Sequence, residues 1–331
     1  MSAKGQTARL LIGVLLLTLA SFTFSTCGGT GTDLAGGGVS GTGVSTGSIT
    51  GFGSVFMNGM EFFTDNNTIK TFMGMDNSFM MDSDLYRVGM VVTIHHGPND
   101  NTAQKIEYQD NLQGRIAAKN SVAENTITIL GQIVVVGDPA VFASLNLNEI
   151  VEVSGFVDSS GRIRASYIAM VPCSMMMGMC TASEFEVKGY ASGLSSSGFR
   201  LGPLPGGTGT TVGVSFAPAA GVGLADGMYV QVVTKDTLPV SGTISATQIN
   251  KLTPRTVFPE NAVADLEGLV TAPPSGSGNV FSFAVEGKPV LTDNVTQYFG
   301  GTAANIRSDV RLQVQGTENG GILSAGKIIF R

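Results

Sequence analysis

The feature that most restricts the fold of this chain is a repeat that occurs four times. Four segments end alike, because an alanine is followed three residues later by an isoleucine: AQKIEY from Ala103, ASYIAM from Ala165, ATQINK from Ala246 and AGKIIF from Ala325. Each segment also places a glycine early in a strand-like run, at Gly51, Gly114, Gly189 and Gly268. The glycine and the isoleucine of one segment are 54 to 60 residues apart, so the sequence predicts four units of similar length.

The interior of each unit consists of short strand-like runs without a helical pattern. Apolar runs turn on a short polar or glycine-containing pair and then return, as in SVFMNGMEFF, ITILGQIVVV and FSFAVEGKPVL. Asn58-Gly59 predicts a two-residue hairpin, because both residues tolerate the positive φ of a type I′ turn. An alternating strand follows in each unit. In the second unit, Val151 and Val153 are predicted on one face and Glu152 on the other.

The closing alanine–isoleucine motif carries a further prediction about strand geometry. Residues three apart point to opposite faces of a regular strand, so the two side chains cannot share a face without an irregularity. The spacing therefore predicts either a β-bulge in the last strand or an alanine that still belongs to the preceding turn. The sequence alone leaves both alternatives open.

We expect an all-β fold of four tandem, five-stranded, barrel-like (OB-like) units, because closure of a small sheet removes its exposed edges. A unit of about sixty residues is only marginally stable alone, so neighbouring units are expected to pack together or to depend on short linkers. The predicted segments are a signal peptide (1–26), a glycine-rich tether (27–47), unit 1 (48–110), unit 2 (111–171), a Cys/Met linker (172–184), unit 3 (185–252), a second linker (253–263) and unit 4 (264–331).

The N-terminal region predicts export. Lys4 and Arg9 precede the apolar run LLIGVLLLTLASFTF, which has the length of a secretory signal and is too short to span a membrane. Cys27 ends the run and a glycine-rich stretch follows, an order that resembles a bacterial lipoprotein signal. That resemblance implies that Cys27 is acylated and becomes the mature N-terminus. The alternative is ordinary cleavage near Ala20.

The composition argues against nucleic acid as a partner. Charged residues make up 13% of the chain, against about 25% in ordinary soluble domains. The formal net charge is -6, and no basic stripe of the kind that phosphate backbones require occurs in the sequence. After the apolar start, no later run reaches the length of a membrane helix, so the remainder is expected outside the bilayer.

The lipoprotein-like start, the tether leading into GVSTGSITGFGSVFMNG and the tandem units resemble a family of bacterial envelope lipoproteins. The repeat of that family is known as domain of unknown function 5666. The resemblance covers residues 28–331, and its motifs are turn and strand patterns. It implies a β fold and a location in the cell envelope, and it carries no active site. Met57 stands where valine is common in the family.

The segment CSMMMGMC in the Cys/Met linker has two interpretations. If Cys27 is lipidated, Cys173 and Cys180 remain as an even pair in an oxidising compartment, which favours a disulfide. The alternative is a site for copper or another soft metal, formed by Cys173, Met175, Met176, Met177, Met179 and Cys180. Oxidation removes the thiolates that a metal would use, so the two interpretations compete; free thiols are a third possibility. The methionines also suit the filling of irregular apolar space under loops.

For the other candidate site residues, we expect no metal-binding or catalytic role. His95 and His96 are adjacent on a strand and point to opposite faces, so we expect exposed strand-end residues rather than a metal site. Acidic residues near turns are expected to be solvated turn carboxylates, because their spacing lacks the ligand order of an EF-hand: Asp65, Asp76, Asp82 and Asp84. Glycan hydrolysis would require aromatic sugar platforms, and the chain has no Trp and six Tyr.

The sequence thus predicts a cell-envelope lipoprotein with a structural or interaction role. Its partners would be the membrane, through the lipid anchor, and an envelope protein or polysaccharide bound through strand faces or loops. We expect no catalytic activity and no cofactor, and a location at the outer membrane or the periplasmic face. The first alternative is a periplasmic copper or redox-responsive binding protein that uses the loop from Cys173 to Cys180. The second is a glycan-active envelope enzyme.

Overall fold

The structure, a computed structural model, describes residues 43–97, 100–171, 175–176, 179–180, 184–207, 209–217, 221 and 223–331. Strands dominate it, and the helices are short: α1 is Asp82–Leu85 and α2 is Pro139–Ser144, with 3-10 turns at Pro205–Gly207 and Ala303–Asn305. The fold is therefore all-β, as the sequence predicts. Within the described residues, no helix has the length and apolar character needed to cross a membrane.

The strands follow the four predicted units. Unit 1 contains β1 (Gly43–Phe52), β2 (Val55–Met57), β3 (Met60–Phe62), β4 (Ile69–Phe72), β5 (Met75–Asp76), β6 (Val91–His96) and β7 (Ala103–Tyr108). Unit 2 contains β8 (Leu112–Asn120), β9 (Thr126–Ile129), β10 (Gln132–Val136), β11 (Ile150–Val157) and β12 (Ile163–Met170). In the Cys/Met linker, β13 (Met175–Met176) pairs with β14 (Met179–Cys180).

The second half of the chain repeats this arrangement. Unit 3 contains β15 (Phe185–Ser192), β16 (Gly198–Gly202), β17 (Val212–Ser215), β18 (Tyr229–Thr234) and β19 (Thr243–Lys251). Unit 4 contains β20 (Val263–Ser277), β21 (Val280–Val285), β22 (Lys288–Leu291), β23 (Gln297–Phe299), β24 (Arg311–Asn319) and β25 (Ile322–Phe330).

Strand pairing has the same cyclic order in units 2, 3 and 4. In unit 2, β8 pairs with β9, β9 with β10, β10 with β12, β12 with β11, and β11 with β8 again. The pair β10–β12 is parallel and the others are antiparallel. Units 3 and 4 repeat this order. In unit 1, a parallel bridge from Phe63 to Thr102 closes the ring.

Three of the four units contain the same hairpin turn. The predicted turn at Asn58-Gly59 is confirmed, because both residues have positive φ, at 56° and 77°. Leu130-Gly131 and Glu286-Gly287 have the same positive φ pair, at 47° and 80° and at 51° and 77°. Unit 3 instead connects β16 to β17 through residues 203–211. The turn residue of unit 4, a buried glutamate, is important for the contacts between units.

The last strand of every unit carries a β-bulge just after the alanine of the closing motif. In unit 2, Ser154 pairs with Tyr167 and Gly155 pairs with Ala165, which leaves Ser166 without a ladder partner. The same skip occurs at Gln104, Thr247 and Gly326. The extra residue lets the alanine and the isoleucine share a face. Of the two alternatives that the sequence left open, the bulge is the one the structure contains.

The sequence assigns Gly51 as the unit 1 equivalent of Gly114, Gly189 and Gly268, and this assignment is wrong. Gly114, Gly189 and Gly268 pair with β11, β18 and β24 of their units, and the equivalent residue in unit 1 is Gly47, which pairs with Val92 on β6. A Cβ atom on Gly47 would lie 2.1 Å from Asn58 Oδ1, whereas one on Gly51 would have no neighbour closer than 3.8 Å. Strand β1 also begins at Gly43, so residues 43–47 belong to unit 1 rather than to the tether.

The four units pack into one body, in which first strands pair unit 1 with unit 4 and unit 2 with unit 3. Strand β1 of unit 1 pairs in parallel with β20 of unit 4, and β8 of unit 2 pairs antiparallel with β15 of unit 3. Units 2 and 3 share a continuous apolar core. The core of unit 4 includes Val44 of unit 1, and Val91, Phe156 and Leu269 meet where units 1, 2 and 4 come together. The expected packing between neighbouring units is therefore present.

Candidate functional site

Polar side chains follow the outward face of the four first strands, where alternation predicts contact with water. Each first strand contains one equivalent glycine: Gly47, Gly114, Gly189 or Gly268. The residues just before these glycines are Thr46, Gln113, Lys188 and Glu267. Because β1 pairs with β20 and β8 pairs with β15, this face lies between units instead of facing solvent. Lys188 and Glu267 are consequently buried. Two buried polar seams result, one between units 1 and 4 and one between units 2 and 3.

The 1–4 seam consists of Ser48, Asn58, Asp265, Glu267, Arg311 and Gln313. Glu267 Oε2 accepts hydrogen bonds from the backbone and the hydroxyl of Ser48, at 2.9 and 3.2 Å. Its other oxygen pairs with Arg311 at 2.9 Å. A carboxylate that is buried away from water requires such partners, because an unpaired charge there is costly.

Asp265 is the second carboxylate of the 1–4 seam. Its Oδ1 accepts from Asn58 Nδ2 at 3.1 Å, and its Oδ2 accepts from the amides of Gln313 and Gln315 at 2.7 and 2.9 Å. Burial raises the pKa of Asp265 to about 6, although the hydrogen bonds from Gln315 and Gln313 oppose that shift. The protonation of this seam therefore changes within a mildly acidic pH range.

The 2–3 seam consists of Asp110, Asn111, Glu152, Glu186, Lys188 and Gln231. Lys188 Nζ contacts Asp110 Oδ1 directly and lies 2.6 Å from Glu186 Oε1. The Gln231 amide donates to the other oxygen of Glu186. The backbone N–H of Lys188 donates to the Asn111 carbonyl at 3.0 Å, which fixes β15 beside the start of β8.

The three charged groups of the 2–3 seam shift one another's pKa. Burial raises the pKa of Asp110 well above its usual range, against the opposing charge of Lys188. Burial alone would raise the pKa of Glu186, but Lys188 and its hydrogen-bond donors lower it overall. Burial would lower the pKa of Lys188, but the two carboxylates raise it overall. A lysine and two carboxylates thus share one site that is nearly shielded from water.

The hairpin turn of unit 4 joins units 2 and 4. Glu286 accepts from the backbone N–H of Val157 at 3.0 and 3.1 Å and from that of Leu269 at 3.2 Å. Arg255 donates to Glu286 at 3.2 Å and to the Gly155 carbonyl at 2.6 Å. Burial raises the pKa of Glu286, and Arg255 with the two backbone donors opposes this.

A small cavity lies where units 2, 3 and 4 meet. Its volume is about 30 Å³, which is room for a single water molecule. Polar groups that line it include Asn111, Lys188, Tyr229, Arg255 and Glu286. The rings of Tyr190 and Tyr229 pack beside it with centroids 4.9 Å apart. The cavity is far smaller than the few hundred Å³ of a typical small-molecule site.

The surface of unit 1 carries a loop with exposed apolar side chains, residues 75–81, which begins with the short strand β5. Met75, Phe79 and Met81 are 65%, 88% and 66% exposed. The loop borders a groove of about 490 Å³. Met73 and Met80, by contrast, pack against the core of unit 1 and fill apolar space there.

The acidic residues around this loop do not form a metal site. Asp65 and Asp76 accept hydrogen bonds from nearby backbone N–H groups, as turn carboxylates do. Asp82 departs from the expected solvated carboxylate, because it pairs with Lys70 at 2.8 Å and both side chains are largely buried. In the part of the chain that the structure describes, no three His, Cys, Asp or Glu side chains are placed to hold a metal ion.

The histidines differ from each other, contrary to the prediction that both are exposed. His95 is partly exposed and lies 2.7 Å from Glu107. His96 is buried, and its ring nitrogens lie 3.0 Å from the Ser45 hydroxyl and 2.7 Å from the Gly97 carbonyl. Burial lowers the pKa of His96, and its contacts with backbone carbonyls oppose that effect. His96 is buried because β6 pairs with β1, which itself lies beside unit 4.

The predicted cysteine sites fall largely outside the described residues. Cys27, Cys173 and Met177 are not described. The backbone of β13 and β14 is described, and it pairs Met175 with Cys180 and Met176 with Met179. Lipidation, the disulfide and the soft-metal site therefore remain predictions.

Sequence reasoning missed the two seams, because strand alternation cannot distinguish water from a neighbouring unit. A signal was nevertheless present. In a chain with only 13% charged residues, acidic and basic side chains occur in the first strands of units 3 and 4 at equivalent positions. Glu186 and Asp265 occupy one such position, and Lys188 and Glu267 the next.

Two of the four repeats match a known family model. The family model Domain of unknown function (DUF5666) matches residues 113–169 and 267–329, which fall in units 2 and 4. Units 1 and 3 lie outside the matched ranges, although their strands pair in the same cyclic order. No curated protein matches the sequence. The two matches are consistent with tandem DUF5666 repeats.

Proposed function

We propose that the chain is a non-enzymatic lipoprotein of the bacterial cell envelope whose four units form one scaffold that binds an envelope protein. The observation that carries the proposal is the burial of the outward faces of the first strands. There, hydrogen bonds join units 1 and 4, and the ion pair between Lys188 and Asp110 joins unit 3 to the start of unit 2. Such a body holds its surface loops in fixed relative positions. A binding or structural role uses that property directly.

We propose further that each unit is an OB-like barrel. The cyclic pairing of five strands, in which β10–β12, β17–β19 and β22–β25 are the parallel pairs, supports closure in units 2, 3 and 4. The alternative is a β-solenoid, in which each repeat contacts only its neighbours along the chain. The pairing of β1 with β20 joins the first unit to the last and favours separate barrels that pack around a centre.

The partner surface in this proposal is the loop of residues 75–81 in unit 1. Exposed Met and Phe side chains are typical of surfaces that bind apolar segments, because Met adapts to partners of different shape. Asp76 lies within the loop, Asp65 lines the neighbouring groove and Asp84 lies just beyond the loop. The matching partner is therefore a protein segment with apolar and basic residues.

The partner proposal is tested by affinity capture from intact envelopes with the full-length chain. The double variant Phe79→Ser, Met81→Ser is expected to lose the captured protein while retaining wild-type stability. Val122→Ser is the matched control, because Val122 is 93% exposed on unit 2, away from the loop. Equal capture by the wild type and by the double variant would refute a role for this loop.

The anchor in this proposal is the lipidated Cys27, which ties the scaffold to a membrane. Incorporation of a labelled fatty acid and retention in the membrane fraction are both expected to depend on Cys27. Cys27→Ala should abolish both. Membrane retention of Cys27→Ala at the wild-type level would refute the anchor. The wild type would then have three cysteines without a lipid, an odd number.

A second candidate function, copper binding, has one specific observation in its favour. The short hairpin of β13 and β14 pairs Met175 with Cys180 and Met176 with Met179, so sulfur-bearing residues stand opposite one another. Metal analysis of the reduced protein under anaerobic conditions tests this candidate. Retention of one equivalent of Cu(I), lost when Met176 and Met179 are replaced by Leu, is the expected result; no retained copper excludes it.

A further inference from the structure

The 2–3 seam places an amine, a carboxyl group and a second carboxyl group in one shielded position. Lys188 Nζ contacts Asp110 Oδ1, and Glu186 Oε1 lies 2.6 Å from the same nitrogen. The side chains of Lys188 and Asp110 are only 3% and 0% exposed. Asp110 lies between β7 and β8, and Lys188 lies on β15, so the contact joins the junction of units 1 and 2 to unit 3.

An amine and a carboxylic acid in contact can condense to an amide, but in water the ionised pair does not react. The carboxylate is a poor electrophile, and the ammonium has no free electron pair. Burial disfavours separated charges, and fixed contact raises the effective concentration of the reactants to about 10⁵–10⁸ M in favourable cases. A neighbouring carboxylate that accepts and returns a proton supplies acid–base catalysis.

We propose that Lys188 and Asp110 form an intramolecular isopeptide bond, with Glu186 as the group that transfers protons. The inference goes beyond the proposed function and does not depend on the membrane anchor or on any partner.

The step balances without an oxidant or a cofactor. A proton moves from the Lys188 ammonium to the Asp110 carboxylate, which gives an amine and a carboxylic acid. The nitrogen electron pair attacks the carboxyl carbon of Asp110, and the C–N bond forms. Glu186 takes a proton from the nitrogen and gives one to the departing hydroxyl. The C–O bond breaks, one water molecule leaves, and Glu186 returns to its carboxylate form.

Three further observations fit this chemistry. Asp110 Oδ2 is buried, and no donor reaches it among the described residues. Burial raises the pKa of Asp110, which favours its protonated, electrophilic form. Lys188 lowers the pKa of Glu186 against the effect of burial, which keeps Glu186 available as a base.

The residues around the seam are consistent with Asp110 as the electrophile and Glu186 as the base. Gln231 donates to Glu186 and holds its carboxylate in place. The other titratable groups that face the site are Glu152, which accepts from the Tyr108 hydroxyl, and the buried Tyr229.

A second buried lysine provides a natural comparison. Lys288 pairs with Glu318 at 2.6 Å, and both side chains are buried as well. Within the described residues, no second carboxylate has an ion pair with Lys288. The proposal therefore expects a bond at Lys188 and none at Lys288.

Tryptic digestion of the denatured full-length chain tests the proposal, because trypsin does not cleave after an acylated lysine. The unreacted chain yields three separate peptides from this region, 106–115, 165–188 and 189–200. The bonded chain yields 106–115 attached to an uncleaved 165–200, and its mass is one water below the summed masses of the peptides 106–115 and 165–200. The attached product is expected in the wild type and in Lys288→Met.

Variants separate the roles of the three residues. Lys188→Met and Asp110→Ala are expected to yield no attached product. Glu186→Gln keeps the size of the side chain and is expected to leave the Lys188–Asp110 pair unreacted in a folded protein. Free 106–115 and complete cleavage after Lys188 in the folded wild type would overturn the proposal, whether or not any variant folds. An attached product at the wild-type level in Glu186→Gln would overturn the assignment of Glu186.

Discussion

Replacing Glu286 with glycine removes the side chain through which the hairpin turn of unit 4 contacts unit 2. The backbone of the turn should be preserved, because Glu286 has a φ of 51° and glycine adopts such a conformation more readily. The substitution leaves the backbone N–H groups of Val157 and Leu269 without their acceptor. It also removes a partner of Arg255, which retains its bond to the Gly155 carbonyl.

The lost contacts determine how far the free energy of unfolding should fall. A buried donor without a partner costs about 1–3 kcal/mol, so two donors cost about 4 kcal/mol. Glycine removes the strain of the left-handed backbone conformation, which offsets about 1 kcal/mol of this cost. Arg255 is partly exposed and regains water, so its lost ion pair adds little. The free energy of unfolding should therefore fall by about 3 kcal/mol.

Urea unfolding, followed by circular dichroism at pH 7, measures this change. With an m value of about 3 kcal/mol per molar urea for a chain of this size, the midpoint should fall by about 1 M. Asn261→Gly is the matched control, because Asn261 also has a positive φ, of 61°, and is exposed. The control should stay within about 0.5 kcal/mol of the wild type. Equal midpoints for the two variants would refute the reasoning.

Three further predictions concern the 1–4 seam and the surface of unit 1. Because Asp265 has a raised pKa of about 6 against an ordinary 3.8, its contribution to stability is present below pH 3.8 and is lost as the pH rises through 6. Urea unfolding at pH 4 and pH 7 should show the wild type losing about 2 kcal/mol more than Asp265→Asn over that interval. Gly47→Ala should lower the free energy of unfolding by about 1–3 kcal/mol, because the new Cβ would lie 2.1 Å from Asn58 Oδ1. Gly51→Ala should leave it within about 0.5 kcal/mol in the same assay. Phe79→Ser should change the thermal midpoint by no more than about 1 °C, since that side chain is 88% exposed, and a larger fall would show that it packs on the protein.

The sequence was most informative where a pattern has a local physical cause. Asn58-Gly59 predicts its hairpin because both residues tolerate positive φ, and the hairpin is confirmed. The alanine–isoleucine spacing demands an irregularity in the last strand, and a bulge occurs in all four units. Local backbone chemistry decides both features.

Features that depend on contacts between units could not be predicted in this way. Gly51 fits the sequence pattern as well as Gly47 does, and only the close approach of Asn58 to Gly47 distinguishes them. Lys188 and Glu267 occupy outward positions that alternation assigns to water. Their burial follows from the pairing of first strands that are far apart in the sequence, and strand periodicity contains no information about such a pairing.

Buried polar seams should make the four repeats unfold as one cooperative body. Differential scanning calorimetry of the full-length chain tests this expectation most directly, because independent modules unfold separately whereas an interlocked body unfolds as a unit. We expect a single transition in which the calorimetric and van't Hoff enthalpies agree. Two or more separate transitions, or a calorimetric enthalpy several times the van't Hoff value, would contradict it.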